Sequence, residues 1–248
     1  MHDVNQLKPL ETGPLTERVK ERIAEAIADG LFKESLPSET ELARQLGVSR
    51  PTVRGALRSL EQEGLLTRLR GIGTRINPHV ARIRITLNRV LGFYDLIRES
   101  GHQPSIAYTR TRTAPADINL AARLGCDPGT SVLYIDRLFL ADGEPAIAVT
   151  EMIPTAELRR PVQEEDIPES IFEFAARFAS QPIDHTVVEI VPSIATGHLV
   201  ELLALKRDTP CLELWETHYS ASNHLIMVSR IYVVDRFVRF NVIRRTRW

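Results

Sequence analysis

The chain is poor in the residues that announce covalent or metal chemistry. It has only two cysteines, Cys126 and Cys211, far apart and in no metal-ligand spacing. That excludes a disulfide framework and a thiolate metal site, and both read as small buried hydrophobes in a reducing cytoplasm. His185, His198, His218 and His224 have no metal-site spacing either, and read as scattered surface or sheet histidines. No Ser-His-Asp or Cys-His order points to nucleophilic catalysis, and no GxxxxGK loop is present to cradle phosphate. No run approaches the ~18 consecutive apolar residues of a membrane helix. The opening Met1-His2-Asp3-Val4-Asn5-Gln6 lacks a basic start followed by an apolar stretch, so a cytoplasmic protein without a secretory signal is expected. The expectation is no catalytic site, no cofactor, no metal and no membrane partner.

Net charge is missing too, at -1, which argues against a general polyanion binder. Its distribution is uneven. From Arg50 to Arg75 the basic residues are Arg50, Arg54, Arg58, Arg68, Arg70 and Arg75, against only Glu61 and Glu63. A basic stripe inside a neutral protein is the footprint of a localised DNA contact. Charge alone fits a solvated helix face with a charged hairpin equally well.

What is present is an ordinary globular composition, 43% hydrophobic and 25% charged over 248 residues, enough for two domains. Residues 1–14 read as a flexible tail. Leu15, Val19, Ile23 and Ile27 recur on one helical face, and Gly30 ends that helix. Ser38 is placed to cap a second helix, with Glu41 returning a bond to the cap's amide; this helix runs to about Leu46. Gly47 breaks it. Ser49 caps a third helix that opens Arg50-Pro51-Thr52, where proline removes no helical hydrogen bond. Val53, Leu57 and Leu60 form its buried stripe and Gly64 closes it. Two short helices joined through a glycine turn make a helix-turn-helix. Leu65 to Leu69 and Thr74 to Ile76 then read as strands of a hairpin wing.

Residues 77–83 read as a linker, and 84–248 as a second domain containing an internal repeat. At a constant offset of 79 residues, Leu120-Ala-Ala-Arg-Leu124 aligns with Leu199-Val-Glu-Leu-Leu203, and Val132-Leu-Tyr-Ile135 with Cys211-Leu-Glu-Leu214. Each copy reads as strand, short helix, then β-hairpin, and two copies would share one sheet. A helix from Ser170 to Ala179 lies between them. The expected fold class is α+β: an N-terminal winged helix-turn-helix, then an antiparallel sheet with flanking helices.

In a helix-turn-helix, the second helix enters the major groove with its N-terminal end at the base edges. That end carries Ser49, Arg50, Thr52 and Arg54. Arg50 and Arg54, one turn apart, share a face, and arginine can donate two parallel bonds to guanine. The hydroxyls of Ser49 and Thr52 would reach phosphates or bases. In the wing, Gly71 and Gly73 permit close backbone approach, and Arg68 and Arg70 can meet phosphate or minor groove. Arg58 reads as a surface charge, and Arg75 is open.

These residues carry a resemblance. Leu36-Pro-Ser-Glu-x-Glu-Leu-Ala43, Gly47-Val-Ser-Arg-Pro-Thr-Val-Arg54, Glu63-Gly64-Leu65 and Gly71-x-Gly-Thr74 resemble the GntR family of bacterial regulators, over Leu15 to Ile76 without a gap. Ala122-Arg-Leu-Gly125, Pro128-Gly129, Asp136-Arg137, Leu140-Ala-Asp-Gly-Glu-Pro145 and Asp235-Arg-Phe237 resemble the UTRA ligand-sensing domain of its HutC branch. The resemblance implies a chorismate-lyase-like sensing fold, a homodimer, a palindromic double-stranded operator, and a small effector that alters DNA affinity. The expected function is a DNA-binding transcriptional regulator, as a repressor. The alternatives are an effector-independent DNA-binding protein and, by fold analogy only, a lyase-like enzyme.

Departures from the family pattern shape the site expectations. Thr40 stands where relatives often have an operator-reading arginine, and Ile72 where they have a basic wing tip; both shift weight onto Arg50 and Arg54. Thr74 belongs to the wing motif. In the sensing domain, Arg137 matches a phosphate-binding position, while Phe139 replaces a second arginine and Gly92 a serine. Val149 and Met227 (or Ile226) stand where glutamates meet sugar hydroxyls. Phe172 replaces a frequent tyrosine, and Ser170 is retained. Losing polar groups, such a pocket would reject a sugar phosphate. The expectation is an effector with one anionic group, held by Arg137 and Arg230, and an apolar body. The equal alternative for Arg137 is a salt bridge to Glu151 or Glu216 across the sheet.

Overall fold

The computed structural model describes residues 15–69, 71, 73–81 and 92–242; the expected N-terminal tail, Arg70, Ile72 and the end of the expected linker lie outside them. The chain divides into two compact units, residues 1–86 with 241–248, and residues 87–240.

In the first unit, α1 (Leu15–Ala28), α2 (Glu39–Leu46) and α3 (Arg50–Gln62) precede a hairpin of β1 (Leu66–Leu69) and β2 (Gly73–Ile76), and α4 (Pro78–Ala81) follows. The apolar stripes of α1 and α3 meet in one core of Val19, Ile23, Ile27, Val53, Leu57 and Leu60, closed by Leu42, Leu66 and Ile76. Burying each such side chain contributes about 1.5–3 kcal/mol. Gly55 lets α1 approach α3: a Cβ there would stand 3.0 Å from Cγ2 of Thr16. Ser38 caps α2, its Oγ accepting from the amide of Glu41 at 3.2 Å. The reciprocal half of the expected capping box is absent, because the Glu41 carboxylate turns to Arg44 and Gln45 instead. A charged donor one turn away is a stronger partner than a single amide.

The second unit is built on a six-stranded antiparallel sheet in the order β3-β4-β5-β8-β7-β6. After α5 (Phe93–Glu99) come β3 (Pro104–Pro115), α6 (Ile118–Leu124), β4 (Ser131–Ala141) and β5 (Glu144–Pro154), then α7 (Ile171–Phe178). The same sequence of elements returns as β6 (His185–Ile194), α8 (His198–Leu202), β7 (Pro210–Tyr219) and β8 (Leu225–Val233). The two copies meet at β5 and β8, in the middle of the sheet. This is the sequence repeat made physical: β4 and β7 begin 79 residues apart, at Ser131 and Pro210. On one face, α6 packs Leu120, Ala121 and Leu124 on Val132, Met152 and Val228, while Leu203, at the end of α8, joins Leu138 and Ala148. On the other, α7 packs Ile171, Phe174 and Phe178 with Leu133, Ile135, Ile153 and Met227, and Phe93 of α5 meets Phe139. We call these the repeat-helix face and the α5–α7 face.

Candidate DNA interface and ligand pocket

The N-terminus of α3 is rigidly made. Ser49 Oγ accepts from the Thr52 amide at 3.3 Å and shares a 2.7 Å hydrogen bond with the Thr52 hydroxyl. Ser49 thus caps α3 as its sequence position predicts, and the Thr52 hydroxyl, expected only at phosphates or bases, is drawn into the same cap. Arg50 is exposed and makes no hydrogen bond or ion pair among the described residues. Arg54 is held by Glu39 at the start of α2: its Nε and Nη2 both donate to Glu39 Oε2, at 3.0 and 2.9 Å. The guanidinium holds the Glu39 carboxyl below its ordinary value. This bond uses the Nε edge of Arg54 and leaves its Nη1–Nη2 end free, the end that can give two parallel bonds to a guanine.

Arg68 of β1 lies differently from expectation. Its Nη2 donates to the Arg54 carbonyl at 3.1 Å and its Nη1 stands 3.6 Å from Glu39. It folds against the recognition helix and supports Arg54 and Glu39 from below. Gly71 (φ +79°) and Gly73 (φ +109°) take left-handed conformations at the exposed wing tip, with open space beside each. Thr74 is half-buried and its carbonyl accepts from the Leu36 amide at 2.9 Å. Thr40, Arg58 and Arg75 are exposed.

Directly paired residues of an antiparallel ladder share a face, which places the expected ligand residues. Arg137 pairs with Val149, Val149 with Ile231 and Ile231 with Leu214. In the neighbouring row, Ile135 pairs with Glu151, Glu151 with Ser229 and Ser229 with Glu216. All lie on the α5–α7 face. There Gly92 and Ser170, the N-cap residues of α5 and α7, approach each other: a Cβ on Gly92 would stand 3.8 Å from Ser170 Oγ. Phe172 is half-buried and nearly perpendicular to the His218 ring, 6.2 Å between centroids. Gly92, Arg137, Val149, Ser170 and Phe172 therefore belong to one side of the sheet. Phe139 and Met227 are on that side too, fully buried in the packing of α5 and α7.

Two expectations change. Arg137 takes the salt-bridge alternative: Nε donates to Glu151 Oε2 at 3.3 Å and Nη2 to the other oxygen, while Nη1 donates to the carbonyls of Pro168 and Glu169 at 3.2 and 2.7 Å. Two N–H groups on two carboxylate oxygens form a bidentate ion pair, and one N–H of the five remains. Arg230 projects from the repeat-helix face: it pairs with Trp215 and Thr150, stacks 5.3 Å from the Trp215 ring and 5.0 Å from the Tyr232 ring, and bonds Glu213. One anion cannot touch both arginines across the thickness of a sheet, and each already has its carboxylate. The anionic expectation loses both of its cations.

His218, expected among scattered surface or sheet histidines, and Glu216, expected only as an alternative partner of Arg137, stand together in a polar cluster beside this pair. His218 is fully buried, with Nδ1 2.8 Å from Thr186 Oγ1 and Nε2 2.9 Å from Ser229 Oγ. Burial lowers it to about 3, so the ring is neutral. The Glu216 carboxylate stands 3.7 Å from His218 Nε2 and is raised to about 7, by burial first and by the Glu151 charge second. The signal was available: Glu216 and His218 fall on the same alternate positions as Leu212 and Leu214, so they share the covered face.

A helix-turn-helix with an open arginine at its recognition end, in a chain whose other unit is a sheet with buried ionisable groups on its covered face, defines a DNA-binding regulator with a sensing domain. A model of bacterial regulatory proteins of the gntR family matches residues 15–76, and a UTRA domain model matches residues 99–237. The HTH-type transcriptional repressor NagR of Bacillus subtilis (strain 168) is 31% identical over 219 residues, 88% of each chain. The histidine utilization repressor of Pseudomonas putida is 28% identical over 201 residues, 80% of this chain and 79% of that one. The crystal structure of the possible transcriptional regulator YydK from Bacillus subtilis shares the fold, with a TM-score of 0.71 at 17% identity over 94% of this chain and 100% of that one. The chain belongs to the GntR family, in the HutC branch whose members carry a UTRA domain. It is a DNA-binding transcriptional regulator with an effector-sensing C-terminal domain, and not an enzyme. Among the described residues no helix is long and apolar enough to cross a membrane, and no group of His, Cys, Asp and Glu could hold a metal.

Proposed function

We propose that the protein is a cytoplasmic homodimeric repressor that binds a palindromic operator and leaves it when a small effector enters the α5–α7 face of the sensing domain. The open Arg50 beside the oriented Arg54 at the start of α3 carries this reading. Both read base edges, with Thr40 and the cap of Ser49 and Thr52 near the backbone; Arg70 and the glycines of the wing meet phosphate. Arg68 positions Arg54. Gly92, Ser170 and Phe172, each half-buried, border the effector. Dimerisation is supported by β6, an edge strand with exposed Val187, Ile190 and Ile194 on its two faces, the kind of edge that a second strand covers. Repression agrees with the names of the relatives NagR and histidine utilization repressor.

Two recognition helices must sit about one DNA turn apart. An effector that changes their spacing through residues 77–83 needs only about 1–3 kcal/mol of coupling. Selection of duplexes from a random pool by the full chain tests the reading. Enrichment of an inverted repeat with half-sites one turn apart is expected; recovery of unrelated sequences would refute it.

A further inference from the structure

On the α5–α7 face the charges do not balance. Arg137 and Glu151 neutralise one another, with side chains 1% and 0% exposed. His218 is closed off and bonded at both nitrogens. Ser229 pairs with both glutamates in register and is buried. Glu216 is left over. It accepts no hydrogen bond among the described residues, yet its side chain keeps 17% of its surface. Of the polar side chains in this row it alone is open to an arriving molecule.

A carboxylate withdrawn from water without a donor is costly, and no hydrogen bond among the described residues relieves it. Arg137 does not, its bonds going to Glu151, Pro168 and Glu169 instead. Around Glu216 the face is apolar: Leu214 precedes it on the strand, Ile231 and Val149 continue Leu214's row, and the Phe172 ring lies against His218. A carboxylate among apolar and aromatic side chains suits an ammonium group, which takes the carboxylate's bond and tolerates an aromatic face.

We infer that the effector carries a cationic nitrogen, a primary ammonium or similar donor, that pairs with Glu216, and an apolar body that lies along the half-buried Phe172. This deepens the effector reading above and rests on it. It also reverses the charge expected from the sequence. The charged and titratable groups that the described strands set beside Glu216 on this face are Glu151, Arg137 and His218, of which the first two cancel and the third is neutral. A cation binds the ionised form of Glu216, so binding expels a proton; an anion would bind the protonated form and take one up. The sign of the proton exchange thus separates the two.

The test is titration calorimetry of the full chain at pH 7, in two buffers of different ionisation enthalpy, with benzylamine, 2-phenylethylamine and hexylamine against phenylacetate. At least one amine should bind with release of about half a proton, since a group titrating near pH 7 is half-protonated there. Its affinity should rise from pH 6 to pH 8 and fall at least about ten-fold in Glu216→Gln at pH 8. Binding of none of the amines, equal amine binding by the variant, or phenylacetate binding with proton uptake would overturn the inference. Operator binding measured beside it separates the two levels. Phenylacetate that binds and releases the operator would sink the cation and keep the effector reading. An amine that binds as described and leaves operator affinity unmoved would keep the cation site and sink the effector reading.

Discussion

The two units use arginine in opposite ways. In the N-terminal unit Arg50 stands exposed with no hydrogen bond or ion pair among the described residues, and Arg54 is half-exposed, tied at one edge to Glu39 and free at the other. In the C-terminal unit Arg137 is 2% exposed and wrapped by a carboxylate and two carbonyls. An arginine that must meet a partner from outside is oriented and left open; one that holds a fold together has most of its N–H groups taken. Being in a motif does not distinguish them, since both Arg54 and Arg137 lie in segments that carry the family resemblance. The unspent N–H groups do.

The comparison can be broken most forcefully at Arg137. Arg137→Ala leaves Glu151 buried without its cation and should cost the sensing unit about 3–5 kcal/mol, read by denaturant unfolding. Arg137→Met with Glu151→Leu should recover most of that loss, because an apolar pair of similar size replaces a buried ion pair at little cost. If the single variant unfolds like wild type, Arg137 is not structural.

Glu216 sharpens the contrast through pH. Its folded value of about 7 lies above the ordinary 4.5, so between those values the unfolded chain loses a proton that the folded chain keeps. Stability is therefore lost as pH rises through that window. Glu216→Gln escapes this and should exceed wild type by ~3 kcal/mol at pH 8 while matching it below pH 4.5. Equal pH profiles would show that Glu216 is solvated in the free protein. The smallest effect is at the DNA end: Ser38→Ala removes the α2 cap and should cost ~1 kcal/mol, seen as a lower melting temperature of the N-terminal unit.

The N-terminal unit was legible because its determinants are local. Ser38, Gly47, Ser49 and Pro51 mark helix ends within a few residues of the bonds they make, and the stripe Val53, Leu57, Leu60 needs no distant partner to be recognised. The 79-residue repeat likewise showed the sensing unit's plan, since each copy is a contiguous strand, helix and hairpin. The pocket was harder. Whether Arg137 meets Glu151 or a ligand depends on strand register between residues fourteen apart. That Arg230 stands on the opposite face follows from pairings with Thr150 and Trp215. The clamp of Glu39 on Arg54 joins residues fifteen apart on two helices, and the folding-back of Arg68 depends on it. Charge and motif name the residues; only register and packing say which charges are spent.

The most direct measurement is equilibrium binding of the full chain and its Arg54→Ala variant to a selected operator and to a scrambled duplex at one salt concentration. The variant should lose about 1–3 kcal/mol on the operator and far less on the scrambled duplex, with the sensing unit's unfolding unchanged. Equal operator affinity in the two proteins would contradict the assignment of the start of α3 as the sequence-reading surface.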